Sequence, residues 1–309
     1  MEFHNLMSKK KVDVAIAILL HRGKVLVGWR QAEQHQGNKH EFPGGKVEAG
    51  ETPEQACRRE IYEEVGIGLK DWHAFDVIQH EYEDLIVNLH VFHAYVPDEL
   101  LTLIQQPWAW YDRDQLTHLN FPKANDAMIE RLHIPHIIKI SEHLTDLPQQ
   151  EILFYWRVAM QDICVIETKL MDIKVEQYQK LIINIEIWQK LNPALQSKIN
   201  NLHLKQSQLM QFHKGDLAVG KRVFAACHDA VSLQHAQHIG CDAVLLSPVQ
   251  VTETHPDAKE LGWDGFAELA KRSDIPVFAL GGVAPEDLEK AQKHFAYGLA
   301  GIRQFQVLN

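Results

Sequence analysis

Three glutamates, Glu60, Glu63 and Glu64, are spaced so that together they could bind a metal ion and activate a water molecule. In a helix, residues at i, i+3 and i+4 share one face, so three carboxylates at this spacing repel one another. A hard divalent cation relieves that repulsion, and Mg²⁺ suits a few carboxylate and backbone carbonyl oxygens beside substrate phosphates. The pattern therefore predicts a Mg²⁺ site, whereas an isolated E-x-x-E-E is more often a solvated acidic surface.

A helix between Thr52 and Gly66 must position these side chains. Thr52 and Gln55 form a capping box, Pro53 occupies the first helical position, and Gly66 suits the C-terminal cap. Because the boundaries are set by local residues, the sequence predicts both ends of this helix.

The remainder of the first half predicts a mixed sheet with flanking helices. The Gly44-Gly45 turn before the helix lets the backbone approach a phosphate or a metal closely, and Lys46 can point at a polyphosphate. A last helix follows at 126–132. Strands are predicted where β-forming residues cluster or alternate, at 11–20, 25–30, 72–79, 86–95 and 108–112.

Residues 45–67 resemble the Nudix box of the Nudix hydrolases, because every fixed position of that pattern is filled. Three further motifs narrow the resemblance to the MutT-like branch, the 8-oxo-dGTP diphosphatases: N-K-x-E-F-P-G-G-K at 38–46, Q-P-W at 106–108 and F-P-x-A-N at 121–125. The resemblance covers about residues 10 to 133. It implies hydrolysis of 8-oxo-dGTP to the monophosphate and pyrophosphate, with Mg²⁺ as cofactor and Mn²⁺ able to substitute, in sanitation of the nucleotide pool.

The same resemblance implies roles for individual residues. The metal ligands would be Gly44, through its carbonyl, with Glu60, Glu63 and Glu64; these glutamates and Arg59, which orients the acidic helix, would be catalytic; Arg30, Phe42, Lys46 and Asn125 would bind the nucleotide. Asn125 fits chemically, since an amide offers a donor and an acceptor together to the edge of an oxidised purine.

One position departs from the pattern. Relatives often carry a glutamate in an E-G-Q stretch where this chain has Ile104-Gln105-Gln106. Glu64 or Glu60 would then activate the water, or a loop carboxylate from Glu83, Asp98 or Glu99 would substitute.

Bulk properties limit the class of protein. The 309 residues favour two domains, predicted at 1–133 and 134–309, and 46% hydrophobic with 23% charged residues is ordinary for globular protein. A net charge of −10 argues against binding a nucleic-acid polymer. Four cysteines without a C-x-x-C pair, and no apolar run of membrane length, predict a reduced, cytoplasmic protein.

The second half alternates strands and helices, which predicts a parallel sheet and, with its glycine-rich strand ends, a TIM-like (β/α) barrel. A polar stretch at 142–150 is the linker-like segment. Helices are predicted at 147–161, 174–191 and 230–239, and about seven strands at 136–141, 164–168, 201–204, 222–226, 243–246, 276–280 and 297–302. A closed barrel needs eight, so the barrel is predicted to be degenerate.

This half resembles thiamine phosphate synthase over about residues 199 to 304, through segments 226–242, 246–256, 261–263, 279–283 and 298–303. The resemblance implies a phosphate site at Thr252, Thr254, Gly281 and Gly282. Against it, His255 replaces a lysine, 165–169 replaces a Q-x-R-x-K strand, and an Asn-Asp-Arg segment has no counterpart at 191–201. One strand and helix there are expected to be lost, which predicts phosphate binding without synthesis; a structural or oligomerising scaffold and an active synthase are the alternatives.

Two other functions stay open for the whole chain. The Nudix half could act on damaged thiamine or pyrimidine diphosphates, in which case Asn125 would matter little. Alternatively, short of one carboxylate, it could be a nucleotide sensor that signals to the barrel. The oligomeric state is not set by the sequence.

Overall fold

The computed structural model describes residues 9–32, 37–160, 162–251 and 259–308. The chain separates into two compact units, Met1–Ile134 and Pro135–Asn309. Within the described ranges, no helix is both long and apolar enough to cross a membrane.

The first unit is a seven-stranded mixed sheet with two α-helices. Its elements are β1 Lys10–His21, β2 Lys24–Arg30, β3 Lys39–Glu41, β4 Gly44–Lys46, α1 Pro53–Val65, β5 His73–Glu81, β6 Leu85–Tyr95, β7 Ala109–Tyr111 and α2 Asp126–Leu132, with 3-10 turns at Asp98–Leu103, Arg113–His118 and Lys123–Asn125. The strand order is β3-β2-β1-β6-β5, with β4 beside β1 and β7 beside β2. β1 and β6 are parallel and the other pairs are antiparallel, so the predicted mixed sheet is confirmed.

The central strand β1 separates two apolar cores. Ile16, Ile18 and Leu20 point into one cluster, whereas Ala15, Ala17 and Leu19 point into the other. The helix α1 covers the second cluster with its buried residues Ala56, Cys57, Ile61 and Val65. One face of α1 is therefore fixed on the sheet, and the acidic face is left outside the core.

Both ends of α1 form as the sequence predicts. The Thr52 hydroxyl accepts from the Gln55 N–H at 3.2 Å, and the Gln55 side chain accepts from the Thr52 N–H at 2.8 Å. Gly66 ends the helix in the left-handed conformation, at φ 80°.

The second unit is a closed barrel of eight parallel strands. Its strands are β8 Ile137–Ser141, β9 Leu153–Trp156, β10 Leu181–Asn184, β11 Asn201–Leu204, β12 Arg222–Cys227, β13 Ala243–Leu246, β14 Val277–Leu280 and β15 Gly298–Gly301. Its helices are α3 Ile163–Met171, α4 Ile185–Trp188, α5 Pro193–Lys198, α6 Gln206–Leu209, α7 Ala230–Ile239, α8 Gly262–Ala270 and α9 Leu288–Lys293, with 3-10 turns at Leu144–Asp146, Val175–Gln177, Pro285–Asp287 and Gln304–Val307. The TIM-like barrel is confirmed, but the expectation of a missing strand was wrong.

The error lies in the first third of the barrel. The predicted helices 147–161 and 174–191 contain the strands β9 and β10, and the predicted strand 164–168 belongs to the helix α3. Both strands are four buried residues long, and periodicity cannot distinguish so short an apolar run from buried helix. Since β8 and β9 pair directly, the polar stretch 142–150 connects neighbouring barrel strands and is no linker between domains.

Candidate active site

Arg59 organises the acidic face of α1. Its guanidinium donates two hydrogen bonds to the Glu51 carboxylate, at 2.8 and 3.0 Å, and others to Glu60 at 2.8 Å and Glu63 at 3.4 Å. A further bond of 3.1 Å reaches the carbonyl of Lys46 in β4. The bond from Arg59 also holds the pKa of Glu51 below its usual value. One arginine thus sets the positions of three carboxylates relative to β4.

Glu64 bonds instead to the turn that precedes β4. The N–H of Gly44 donates to Glu64 Oε2 at 3.0 Å. Although the residue is exposed, its carboxyl group is surrounded by enough protein that lost hydration raises its pKa to about 7, and the Gly44 bond only partly opposes this. The negative charges of Glu41 and Glu60 raise the pKa further, while Arg30 lowers it. This carboxyl group can therefore take or release a proton near neutral pH.

The turn itself has no room for side chains. A Cβ on Gly44 would lie 2.2 Å from the carbonyl oxygen of Ala15, and a Cβ on Gly45 would meet the carboxylate of Glu60. Pairing of β4 with β1 puts Gly45 opposite Ala15. The two glycines therefore allow the glutamates of α1 to touch the backbone of the turn.

Glu41 is a site residue that the sequence reasoning missed. Arg30 Nε donates to Glu41 Oε2 at 2.7 Å, and the two side chains are only 28% and 18% exposed. Both act electrostatically on Glu64, so the pair stands beside the acidic face of α1. Its place in the motif at 38–46 was the signal in the sequence that could have found it.

The oxygen atoms at the acidic face can be compared with the ligands that a divalent cation needs. In the part of the chain that the structure describes, no three His, Cys, Asp or Glu side chains are arranged to hold a metal ion. Glu60 and Glu63 instead bond to Arg59. The donor chemistry nevertheless fits Mg²⁺, because all the oxygens are hard and the crowded negative charge that raises the pKa of Glu64 is what a cation would relieve.

The predicted nucleotide-binding residues divide into two groups. Arg30 stands at the acidic face, and Asn125 is buried at the junction of a 3-10 turn and α2. Tyr82 lies between them, because the charge of Arg30 acts on its hydroxyl group and the backbone of Ala124 hydrogen-bonds to it. The Asn125 side chain does not cap α2, and no hydrogen bond joins it to any other described residue.

The other two predicted nucleotide residues differ in exposure. Phe42 is buried and stacks on Phe121, with ring centroids 4.9 Å apart, so its ring belongs to the core. Lys46 is exposed on β4.

In the described ranges, no hydrogen bond or ion pair joins the loop carboxylates Glu83, Asp98 and Glu99 to Glu64. Ile104 packs against the core under α1, and Asp98 pairs with Arg22 at 2.7 Å. Glu83 and Glu99 are exposed and make no hydrogen bond or ion pair with another described residue. The additional carboxylate found beside Glu64 is that of Glu41.

In the barrel, polar side chains gather at the carboxyl ends of β9, β10 and β11. Tyr155 stacks on His203 with ring centroids 4.3 Å apart, and the Asn184 and Gln208 amides exchange two hydrogen bonds, of 2.9 and 3.1 Å. Burial lowers the pKa of His203 to about 3, so the ring is neutral. At the end of β10, Asn184 is followed by the buried Ile185 and the exposed Glu186.

The predicted phosphate site of the barrel is partly described. Gly281 and Gly282 follow β14 with φ of 98° and 68°, and a Cβ on Gly282 would lie 2.6 Å from Gln250 Cβ. Among the described residues, nothing accepts a hydrogen bond from the N–H groups of Gly282 and Val283. Thr252, Thr254 and His255 lie outside the described residues.

Comparison with known proteins decides the family of each unit. Residues 14–131 match the NUDIX domain, and residues 165–305 match thiamine monophosphate synthase. An 8-oxo-dGTP diphosphatase of Escherichia coli is 36% identical over 125 residues, which cover 40% of this chain and 97% of that protein. A protein of Aquifex aeolicus, provisionally named thiamine-phosphate synthase 2, is 31% identical over 137 residues, which cover 42% of this chain and 68% of that protein.

The chain belongs to the Nudix hydrolase family in its first unit and to the thiamine-phosphate synthase family in its second. Both predicted resemblances are confirmed, and the first unit is a Nudix hydrolase that acts on a nucleotide. A CTP pyrophosphohydrolase of Escherichia coli is also similar to the Nudix unit, at 39% identity over 89 residues, which cover 29% of this chain and 64% of that protein.

Proposed function

We propose that the Nudix unit hydrolyses 8-oxo-dGTP to the monophosphate and pyrophosphate, with Mg²⁺ as cofactor and Mn²⁺ able to replace it. The observation that carries this proposal is the contact of two α1 glutamates with one glycine turn: Glu64 bonds to the Gly44 N–H, and Glu60 lies against Gly45. Acidic side chains and a backbone that a phosphate can approach are thereby joined in one place.

The chain's own groups divide the work. Glu60, Glu63, Glu64 and the Gly44 carbonyl would hold the metal ions, which when bound neutralise the polyphosphate and acidify water. The Glu64 carboxylate, hydrogen-bonded at the Gly44 turn, can also accept a proton from the attacking water. Arg59 keeps Glu60 and Glu63 on the face that meets the substrate.

Recognition of the base is assigned to Asn125. Its buried amide makes no hydrogen bond to the described protein, so a nucleobase edge could take both its donor and its acceptor. Arg30 lies between this region and the carboxylates, and Lys46 is open to a polyphosphate. The 8-oxo-dGTP diphosphatase relative supports the purine assignment.

For the barrel we propose a phosphorylated small molecule as ligand, without synthesis. The N–H groups of Gly282 and Val283 support an anion site, because no described residue accepts a hydrogen bond from them. The loss of synthesis is supported by the bonding of the Asn184 amide to Gln208 and by the apolar Ile185 that follows it.

A second candidate function is a diphosphatase that acts on damaged thiamine or pyrimidine diphosphates. Two observations favour this candidate: the fused thiamine-phosphate synthase unit, and the similarity of the Nudix unit to a CTP pyrophosphohydrolase. Under this candidate Asn125 would contribute little to turnover. Under the third candidate, a nucleotide sensor, the protein would bind nucleotide and release no product.

One substrate screen separates these candidates. Purified protein with Mg²⁺ is given 8-oxo-dGTP, dGTP, CTP, thiamine diphosphate and an oxidised thiamine diphosphate, and pyrophosphate and orthophosphate are measured separately. Preferred release of pyrophosphate from 8-oxo-dGTP supports the proposal. A preference for CTP or a thiamine diphosphate would replace the substrate, and binding without product would support the sensor.

A further inference from the structure

Trp108 contacts the helix α1 at Glu64, the glutamate whose side chain also contacts the turn at Gly44. Its indole Nε1–H donates to the backbone carbonyl of Glu64 at 3.0 Å. The side chain of the same Glu64 accepts from the Gly44 N–H at 3.0 Å. Glu64 is therefore held at both ends, its backbone by Trp108 and its carboxylate by Gly44.

The indole ring of Trp108 packs against Gly28 of strand β2, which has no side chain. A Cβ on Gly28 would lie 2.5 Å from the six-membered ring of Trp108. The register partner of Gly28 is Glu41, and Arg30, two residues along the same strand, bonds to that Glu41. Strand β2, against which Trp108 packs, thus carries Arg30, and its neighbour β3 carries Glu41, the two residues whose charges act on Glu64.

The segment that carries Trp108 contributes packing to the site. Trp108 is 8% exposed and belongs to the apolar cluster beneath α1. Ile104, in the same segment, packs against the same cluster. Both contacts act on the sheet side of α1, opposite the face that carries the glutamates.

From these contacts we infer that Trp108 is a positioning residue for Glu64. The hydrogen bond from its indole N–H and the packing of its ring on Gly28 fix the last turn of α1. The Glu64 carboxylate therefore stays at the Gly44 turn and beside Arg30. This inference rests on the proposed function only for its activity readout. The residue does not touch substrate, and its effect reaches the reaction through Glu64.

A purely structural tryptophan would behave differently, and the chain offers a matched control. Trp72 is buried in the same apolar cluster, and its indole N–H also donates to a backbone carbonyl, that of Leu69, at 3.0 Å. Trp72→Phe removes an equivalent ring and bond without touching Glu64. Any effect shared by both variants is structural, and any effect confined to Trp108→Phe acts on Glu64.

The experiment compares wild type, Trp108→Phe and Trp72→Phe at temperatures below unfolding. It measures kcat and KM for 8-oxo-dGTP at saturating Mg²⁺, and the affinity of the nucleotide-free protein for Mg²⁺ by calorimetry. We expect kcat to fall and the Mg²⁺ Kd to rise by about tenfold in Trp108→Phe, as for other groups that orient a metal-binding side chain. KM for the nucleotide should change little, because Trp108 does not touch substrate and Mg²⁺ is saturating, and Trp72→Phe should match wild type in kcat and Mg²⁺ affinity.

Other results would overturn the inference. If both variants lose kcat equally, or neither does, Trp108 is a core residue without a positioning role. If Trp108→Phe does not fold, Gly28→Ala decides, because the added Cβ displaces the ring while the indole N–H remains: lowered kcat with unchanged KM supports the inference, and unchanged kcat refutes it. If wild type hydrolyses nothing, the proposed function fails, and the Mg²⁺ affinities alone decide about Trp108.

Discussion

The carboxylate of Glu60 lies so close to the backbone of Gly45 that a Cβ at residue 45 would come within 2.2 Å of Glu60 Oε1. The glutamate is held there by Arg59, which donates to the same oxygen at 2.8 Å. A methyl group at residue 45 must therefore push Glu60 away or distort the turn. This contact explains in physical terms why a glycine begins the motif that contains the acidic helix.

Gly45→Ala should lower turnover by about tenfold or more, because it displaces a carboxylate proposed to bind metal. Melting temperature should change much less than turnover, since Glu60 is on the outer face of α1. Gly68→Ala is the matched control, because a Cβ there meets no heavy atom within 4 Å. Steady-state kinetics and thermal unfolding of both variants provide the check, and equal activities would argue against a role for Glu60.

The acidic face itself gives the strongest expected effect. Glu63→Gln and Glu64→Gln should each reduce kcat by about two orders of magnitude or more, the scale of lost metal or general-base catalysis, while the protein stays folded. Glu54→Gln, on the same helix but paired with Arg58, is the control. Near-normal turnover in both site variants would leave α1 as a solvated acidic helix.

Substitution of Asn125 tests whether its amide recognises the purine base or has only a structural role. Asn125→Ala should lower kcat/KM for 8-oxo-dGTP much more than for dGTP, with a difference of about 1–3 kcal/mol for one buried polar pair. The measurement is a competition of the two nucleotides on wild type and variant. Equal losses for both would make the residue structural and move the assignment toward a pyrimidine or thiamine diphosphate.

Local signals were enough to predict the acidic helix. Thr52, Gln55 and Gly66 set its ends through contacts within a few residues, and the spacing of the glutamates follows from the helix. Glu41 and Trp108 stand in the motifs at 38–46 and 106–108, but their contacts with Glu64 were missed because they reach it from β3 and from the segment before β7, over long separations in the chain.

In the barrel the strands β11 to β15 could be predicted because each is an apolar run near turn residues. β9 and β10 could not, since four buried residues within longer mixed segments fit a helix equally well. The wrong strand count then hid Asn184, which ends β10. Closure of the barrel, a long-range property, was needed to find it.

The buried His203 makes the barrel sensitive to acid. Its pKa of about 3 in the folded protein lies below the ordinary 6.5, so as pH falls below about 6.5 the unfolded chain binds a proton that the folded barrel does not. Folded stability should therefore drop with falling pH. The loss from this group reaches up to about 2 kcal/mol at pH 5, on the scale of 1.36 kcal/mol per pH unit.

The test replaces His203 with a ring that cannot be protonated. His203→Phe keeps an aromatic partner for Tyr155, and its urea stability relative to wild type should improve between pH 7.5 and pH 5. His238→Phe, at an exposed position of α7, should show no such trend. A constant difference between wild type and His203→Phe at both pH values would mean that the folded barrel accommodates the proton.

The last prediction separates an anion site in the barrel from an active synthase. Thiamine phosphate should bind weakly at the turn after β14, and Gly282→Asp should abolish binding by placing a negative charge among the N–H groups. Because any side chain at this φ of 68° is strained and crowded by Gln250, Gly282→Ala is the control that carries the strain without the charge. Calorimetry should find binding reduced in Gly282→Ala and absent in Gly282→Asp.

The same protein should form no thiamine phosphate from the thiazole phosphate and the pyrimidine diphosphate precursors. The Asn184 amide at the end of β10 is already bonded to Gln208 and the next residue is the apolar Ile185, so a Mg²⁺-pyrophosphate would have to be held through Glu186, whose N–H bonds to Asn184. Complementation of a synthase-deficient strain is the decisive measurement. Growth without thiamine would overturn the prediction and would require groups such as His255 and Lys169 to supply what the strand end lacks.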